Sequence, residues 1–355
     1  AEAGNLDVAS TNGNASTATL SSYIGDAVNV LHAAERFVPP GGEIIGANAG
    51  AVGDFDGDGV DDFAVANAFD DSVAVYRSTP GGADPFVFFD RIVVTAGDVP
   101  FDILADEVNG DGLVDIVVLL SPSTANGQVA TFLNTGNSVN PFPGSASFSD
   151  TVGNLPWAMA RGSLDNLVDA IDDVAVTNLG DQTVTVLKGL ATGDYENTPL
   201  ATIDITDGSS TCADGNEEPD CDPNGLDLAD VDGNGTTDMV VSRFGGADGG
   251  SLKVFTNDGN GAFTAGPVLT SLDPFGDPND METVNHQTVF FADLDGMNGP
   301  DIVGVGLAAD DYISVFMNDG GGNFTAASGS PFLLGGIDAA TPDGPSNATV
   351  SDLNM

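Results

Sequence analysis

Oxygen-bearing side chains fall at alternate positions in VGDFDGDGVDD, residues 52–62, which puts five aspartates and three glycines into eleven residues. So much like charge in one turn calls for a positive partner, because unit charges about 4 Å apart interact at several kcal/mol near a protein surface. Counted from the first acid, Asp54, Asp56, Asp58 and Asp62 stand at loop positions 1, 3, 5 and 9. Alternate oxygens in a tight turn, with glycines free to take φ > 0, wrap a hard cation. Calcium suits such a turn, since it accepts about six to eight oxygens in flexible geometry, whereas magnesium prefers an octahedron with several retained waters. The main-chain carbonyl at position 7, that of Val60, is expected to add a ligand.

The pattern recurs. A second copy offers Glu107, Asn109, Asp111 and Asp115, with Leu113 at position 7; a further one offers Asp230, Asp232, Asn234 and Asp238, with Thr236 at position 7. These three loops are well formed. Two weaker copies, Asp293, Asp295 and Asp301 (with Met297 at position 5) and Asp165, Asp169 and Asp173, are expected to bind weakly or not at all. An EF-hand loop also begins with alternating acids but needs a bidentate Glu at position 12. Here position 12 is Val65, Val118 or Val241, each inside an apolar run, so that reading fails. Asp-Gly pairs also make plain β-turns, but three full copies at regular spacing argue for metal.

The closing acids Asp62, Asp115, Asp173, Asp238 and Asp301 follow one another at 53, 58, 65 and 63 residues, about the length of a propeller blade. Each unit reads as four strands. A segment with small residues precedes the loop, an apolar run such as DIVVLL follows it, a third strand such as SLKVFTN comes next, and a variable fourth completes the set. Runs that are apolar on both faces suit sheets stacked on each side, and small residues suit strands crowded about an axis. The fold class is therefore all-β: a propeller of four-stranded blades occupying residues 1–355 as a single domain, six blades by count with seven as the alternative.

Both termini fit the same period. The C-terminal NATVSDLNM reads as an inner strand plus half a loop, with Asp352 and Asn354 as ligands, and Asp7 reads as the missing closing acid. Pairing of N- and C-terminal strands would close the ring and hide both sheet edges. The alternative is exchange of that strand between molecules, which propagates into a head-to-tail filament.

Composition narrows the partners. Fifty-four acidic residues against seven basic ones give a net charge of −47, while 41% of residues are hydrophobic, enough for a core. With so few basic residues no patch can neutralise phosphates, so nucleic acid is excluded. Such carboxylate excess suits calcium-rich or salty water outside a cell. Cys212 and Cys221 bracket a short acidic insert and are expected to form a local disulfide, in keeping with an oxidising compartment. No apolar run is long enough for a membrane span. Ala1 is not an initiator methionine, which suggests a processed secreted chain or an excised part of one.

The D-x-[DN]-G-[DN]-G-x-x-D loop followed by an apolar strand resembles the FG-GAP and VCBS-type repeats, similar to the calcium-binding blades of integrin α-subunit propellers. The resemblance spans nearly the whole chain. It implies a calcium-stabilised propeller of adhesion or surface-structure type holding several calcium ions. The resemblance carries no ligand of its own, since such repeats mark a scaffold; a glycan or an extracellular protein is the class of partner expected here. Integrin propellers have seven blades, against six counted here.

No G-x-S-x-G, H-E-x-x-H or phosphate-cradling glycine loop is present, so the chain is expected not to be an enzyme. The rival expectation is a propeller that binds or cleaves carbohydrate at its axis, near His286, Trp157 and Arg161. A solitary His or Trp in a strand is more often a packed residue than a catalytic one.

Overall fold

The computed structural model describes residues 7–12, 19–24, 35–37, 46–78, 86–95, 97–165, 171–206, 222–244, 250–271, 286–306 and 312–333. All regular structure among them is β. It forms two compact units, one holding the first eleven strands together with Gly189–Tyr195 and the other the remaining thirteen.

In the first unit, β1 (Asp7–Asn12), β2 (Thr19–Ile24) and β3 (Glu35–Phe37) make a three-stranded sheet. Two four-stranded antiparallel meanders follow: β4 (Ala47–Gly53), β5 (Asp62–Asn67), β6 (Ser72–Ser78) and β7 (Phe86–Val93), then β8 (Pro100–Asp106), β9 (Asp115–Leu120), β10 (Asn126–Phe132) and β11 (Phe148–Asn154). The second unit repeats the plan with β12 (Pro156–Gly162), β13 (Asp173–Asn178), β14 (Thr183–Leu187) and β15 (Ala201–Asp204), and again with β16 (Asp222–Ala229), β17 (Asp238–Phe244), β18 (Ser251–Asn257) and β19 (Phe263–Leu269). Its last sheet joins β20 (His286–Ala292), β21 (Asp301–Gly306) and β22 (Tyr312–Asn318) to an outer strand in two pieces, β23 (Phe324–Ala326) and β24 (Phe332–Leu333), both paired with β22.

The second strand of each full sheet carries the core. β5, β9, β13 and β21 are buried along their whole length, because Val, Ile, Leu and Ala fill both faces. Ala64, Ala66, Ile116 and Val118 share one cluster with Phe132 and the edge-to-face pair Phe55–Phe142, and Ala175, Met239, Val241 and Phe255 share another. The first strands are only partly buried, and each shows a register shift near its start, at Ala47/Ala49, Pro100/Asp102, Pro156/Ala158, Pro223/Leu226 and His286/Thr288. Pro at three of these starts supplies no ladder donor, so the strand is entered there rather than interrupted.

The expected four-stranded repeat is present. Six were expected, with seven as the alternative; the described residues show five or six blades, since one sheet has three strands among them. Asp7 opens β1, as a closing acid opens each second strand. The expected half-loop at Asp352 and Asn354, the ring closure, the Cys212–Cys221 disulfide and Asp169 lie outside the described residues.

Candidate metal centre

Each closing acid is the first residue of a second strand and is buried: Asp62, Asp115, Asp173, Asp238 and Asp301 are at most 1% exposed. One carboxylate oxygen, Oδ2, accepts the backbone N–H of loop position 2, from Phe55 (3.1 Å), Val108 (3.1 Å), Leu164 (2.9 Å), Val231 (2.9 Å) and Leu294 (3.0 Å). Oδ1 of Asp62, Asp115, Asp238 and Asp301 accepts the backbone N–H at the end of the third strand, from Ser78, Asn134, Asn257 and Asn318 at 2.7–2.9 Å. The closing carboxylate, at the head of the second strand, thus ties the loop to the end of the third. Burial pushes the carboxyls of Asp62 and Asp115 up to about 6 against the pull of these donors, and the other loop acids add to the push. Asp238 is raised by the same burial.

The earlier acids curl the turn around themselves. Asp54 Oδ1 accepts from Gly57 (2.8 Å) and Asp58 (3.1 Å), its Oδ2 from Gly59 (2.8 Å), while Asp56 and Asp58 each accept from the residue two ahead. The fourth loop, Asp230–Asp238, repeats this with Gly233 and Gly235 on Asp230, Asn234 on Asp232 and Thr236 on Asn234. Gly57 and Gly59 sit at φ 77° and 85° with open space where a Cβ would stand, so backbone conformation rather than crowding selects glycine there. In the fifth loop, Asn298 takes the same role at φ 64°, a conformation Asn tolerates.

Three groups of carboxylates converge with their ligand oxygens all within 4.8 Å: Asp54, Asp56 and Asp58; Asp230, Asp232 and Asp238; Asp293, Asp295 and Asp301. Oxygens on opposite sides of a calcium ion lie about 4.6–5.2 Å apart, twice the Ca–O distance, so these groups fit such an ion. They can hold a metal ion. The fifth loop, expected to be weak, brings its acids together as well as the fourth does, despite Met297 at position 5. Asp62 stands outside the first group, and Glu107, Asp111 and Asp115 do not form such a group among the described residues. In that second loop Glu107 Oε1 is occupied by the N–H groups of Asn109, Gly110 and Asp111 (2.5–3.2 Å), and the Asn109 side chain donates to Asp111 Oδ2 at 3.1 Å. Position 7 is Val60, Leu113 or Thr236, and the Thr236 hydroxyl donates to the Asn257 carbonyl at 2.8 Å.

The third loop is out of the expected register. Because Leu164 N–H meets Asp173, Leu164 is position 2, Ser163 stands where the other loops begin with an acid, and Asp165 is position 3. Asp165 is paired with Lys188.

Sequence reasoning missed one recurring group. Asn134, Asn257 and Asn318 follow the third-strand aromatic residues Phe132, Phe255 and Phe316 by two places, and each donates its side-chain amide to a carbonyl of the preceding loop: Phe55 (2.9 Å), Leu164 (2.6 Å) and Val231 (2.9 Å). The signal was the Asn that ends each of FLN, FTN and FMN.

The axial pocket expected around His286 does not hold for that residue. The ring is fully buried against Gly304, its Nε2 lies 2.8 Å from Ser314 Oγ, and burial pushes its pKa down to about 3. It is a neutral packed residue.

Residues 54–118 match the family model of the FG-GAP-like repeat. The FG-GAP-like repeat therefore spans the first two loops and the strands between them. Among solved structures, a putative 6-phosphogluconolactonase from Bacteroides fragilis is similar over 92% of this chain and 80% of its own, with 14% identity and a TM-score of 0.59. The periplasmic gluconolactonase PpgL of Pseudomonas aeruginosa is similar over 91% and 81%, with 16% identity and a TM-score of 0.59. BBS1N, solved in complex with ARL6DN, is similar over 88% and 74%, with 11% identity and a TM-score of 0.51. These likenesses show the fold, that of a β-propeller. A comparison with curated protein sequences gave no match. Among the described residues no helix is long and apolar enough to cross a membrane.

The expectation that the chain is not an enzyme is corrected by these structures. It rested on missing local motifs, yet two proteins named as lactonases share this fold over most of the chain. Catalytic groups drawn from separate strands leave no contiguous motif, so the missing motifs do not set catalysis aside.

Proposed function

We propose that the chain is an exported, calcium-binding propeller whose ions hold the acidic loops in form while the surface engages a glycan or an extracellular protein, in adhesion or assembly. The observation that carries this reading is the convergence of three acidic groups, each within 4.8 Å, in turns of one design. A net charge of −47 supports it, because the self-repulsion of the apo chain falls when divalent ions bind. Occupied by calcium, a loop gains a central positive charge for its position 1, 3 and 5 oxygens, and the buried closing carboxylate loses part of its desolvation cost. The test is titration of the chelated protein with calcium, followed by heat and by melting point. Saturable binding of two to three ions with a raised midpoint supports the reading; no heat and no shift end it.

A second reading is favoured by the fold likeness to proteins named as a gluconolactonase and a putative 6-phosphogluconolactonase: a site that opens the lactone of a sugar acid. Hydrolysis of δ-gluconolactone by the purified chain, faster than its spontaneous rate and proportional to protein, tests it.

A further inference from the structure

Two of the seven basic residues stand at one register of the third strand. Phe63 pairs with Tyr76 and Val174 with Leu187, so Arg77 and Lys188 each follow the partner of the second residue of the second strand. Leu133, Thr256 and Met317 hold the same place in the other full sheets. Both basic side chains reach the acid at loop position 3: Arg77 Nε lies 2.5 Å from Asp56 Oδ2, and Lys188 Nζ lies 2.5 Å from Asp165 Oδ2.

The third loop has changed in two further ways that suit a lysine and not a metal ion. Ser163 replaces the carboxylate at position 1. Asp173 Oδ2 accepts two backbone N–H groups, from Leu164 (2.9 Å) and Asp165 (3.0 Å), whereas in the other loops this oxygen accepts the one from position 2. The Lys188–Asp165 pair is well enclosed, with side chains 19% and 6% exposed.

We infer that the Lys188 ammonium is the third loop's own cation, standing where a divalent ion stands in the other loops and holding this loop in form at any calcium concentration. The inference rests on the reading of the loops as cation sites, but the pairing it asserts can be measured without calcium.

The experiment is thermal melting in chelator. Lys188→Met is expected to lower the midpoint by about 5 °C, since breaking an enclosed ion pair leaves an uncompensated carboxylate. Lys188→Arg is expected to retain it, and Asp165→Asn/Lys188→Met to regain most of the loss. An unchanged midpoint for Lys188→Met, or a double variant as unstable as the single, overturns the inference. If Lys188→Met does not fold, the double variant decides: folding supports the pairing and failure overturns it. A gain-of-site variant then reads the metal side. Ser163→Asp/Lys188→Thr, which installs the acid and threonine of the fourth loop, is expected to bind one more calcium ion than the parent by calorimetry, and an unchanged count overturns the substitution of lysine for metal. Should the parent bind no calcium at all, the function proposed above falls, while the chelator series still reports on Lys188.

Discussion

The Asn134 side-chain amide donates to the carbonyl of Phe55 at 2.9 Å, across 79 residues of sequence, and to that of Val114 at 3.0 Å. Its own backbone N–H meets Asp115, and its Oδ1 accepts from Gly136 at 2.9 Å. One buried side chain therefore joins two sheets at their acidic loops. Asn257 and Asn318 repeat every one of these bonds, on Leu164 and Thr237 and on Val231 and Pro300. Removing the amide leaves buried carbonyls unsatisfied, which costs about 1–3 kcal/mol. Asn134→Ala is expected to lose about that much in urea unfolding, and Asn134→Asp more, because it turns an acceptor toward two carbonyls.

What the sequence made legible was local. The spacing of Asp54, Asp56 and Asp58 lies within one turn, and the buried runs DFAVAN and DIVVLL lie within one strand, so period and composition were enough to place them. The partner of Asn134 lies 79 residues away and that of Asn257 lies 93 away, and no local pattern encodes such a pairing. The register of the third loop was lost for a related reason: Asp165, Asp169 and Asp173 look like spaced ligands, and only the bond from Leu164 to Asp173 shows that Ser163 holds the first position. His286 left two readings open, packed residue or axial site, because a polar residue in an inner strand reads the same whether it faces solvent or packs against Gly304.

The two kinds of acid in the fourth loop are expected to separate under chelation. Asp232 is partly exposed and uses Oδ1 to accept from Asn234 at 3.1 Å, a bond that asparagine can keep, whereas Asp238 is fully buried and uses both oxygens. Asp232→Asn is therefore expected to melt at or slightly above the parent in chelator, with less repulsion, and below it in calcium. Asp238→Asn loses acceptance from either Val231 or Asn257 and is expected to melt lower in both. Paired melting curves check the crossing of Asp232→Asn and its absence for Asp238→Asn.

Arg77 pairs with Asp56, one of the three acids that converge in the first loop, and its Nη2 donates to the Ser138 carbonyl at 2.6 Å. The guanidinium is about a third exposed, so solvent screens the pair and its worth is small, on the order of 0–1 kcal/mol. Arg77→Leu, which copies Leu133 of the next sheet, is expected to tighten calcium at this loop by about two- to five-fold. Calorimetry of the variant against the parent checks it, with the fourth loop disabled by Asp232→Asn to simplify the isotherm.

His286 gives the acid limb of stability its sign. Burial holds its folded pKa at about 3 against an ordinary value of 6.5, so between these values the unfolded chain takes up a proton that the folded chain refuses. Stability is then unaffected by this group above pH 6.5 and falls as pH drops from 6.5 toward 3, by roughly 1.4 kcal/mol per pH unit while the difference lasts. Asp62 and Asp115 act in the opposite direction, because carboxyls raised to about 6 bind a proton more readily in the folded chain and gain stability as pH falls through that value. The two trends overlap, so a single profile does not isolate either one. The difference between parent and His286→Gln does, since both share the same carboxylates and the glutamine amide, standing about where Nε2 stands, can still reach Ser314. In chelator, that difference is expected to favour the parent at pH 7, where the packed ring is intact, and to shrink steadily from pH 6 to pH 4. A difference that stays constant over this range would mean that the ring is protonated in the folded chain.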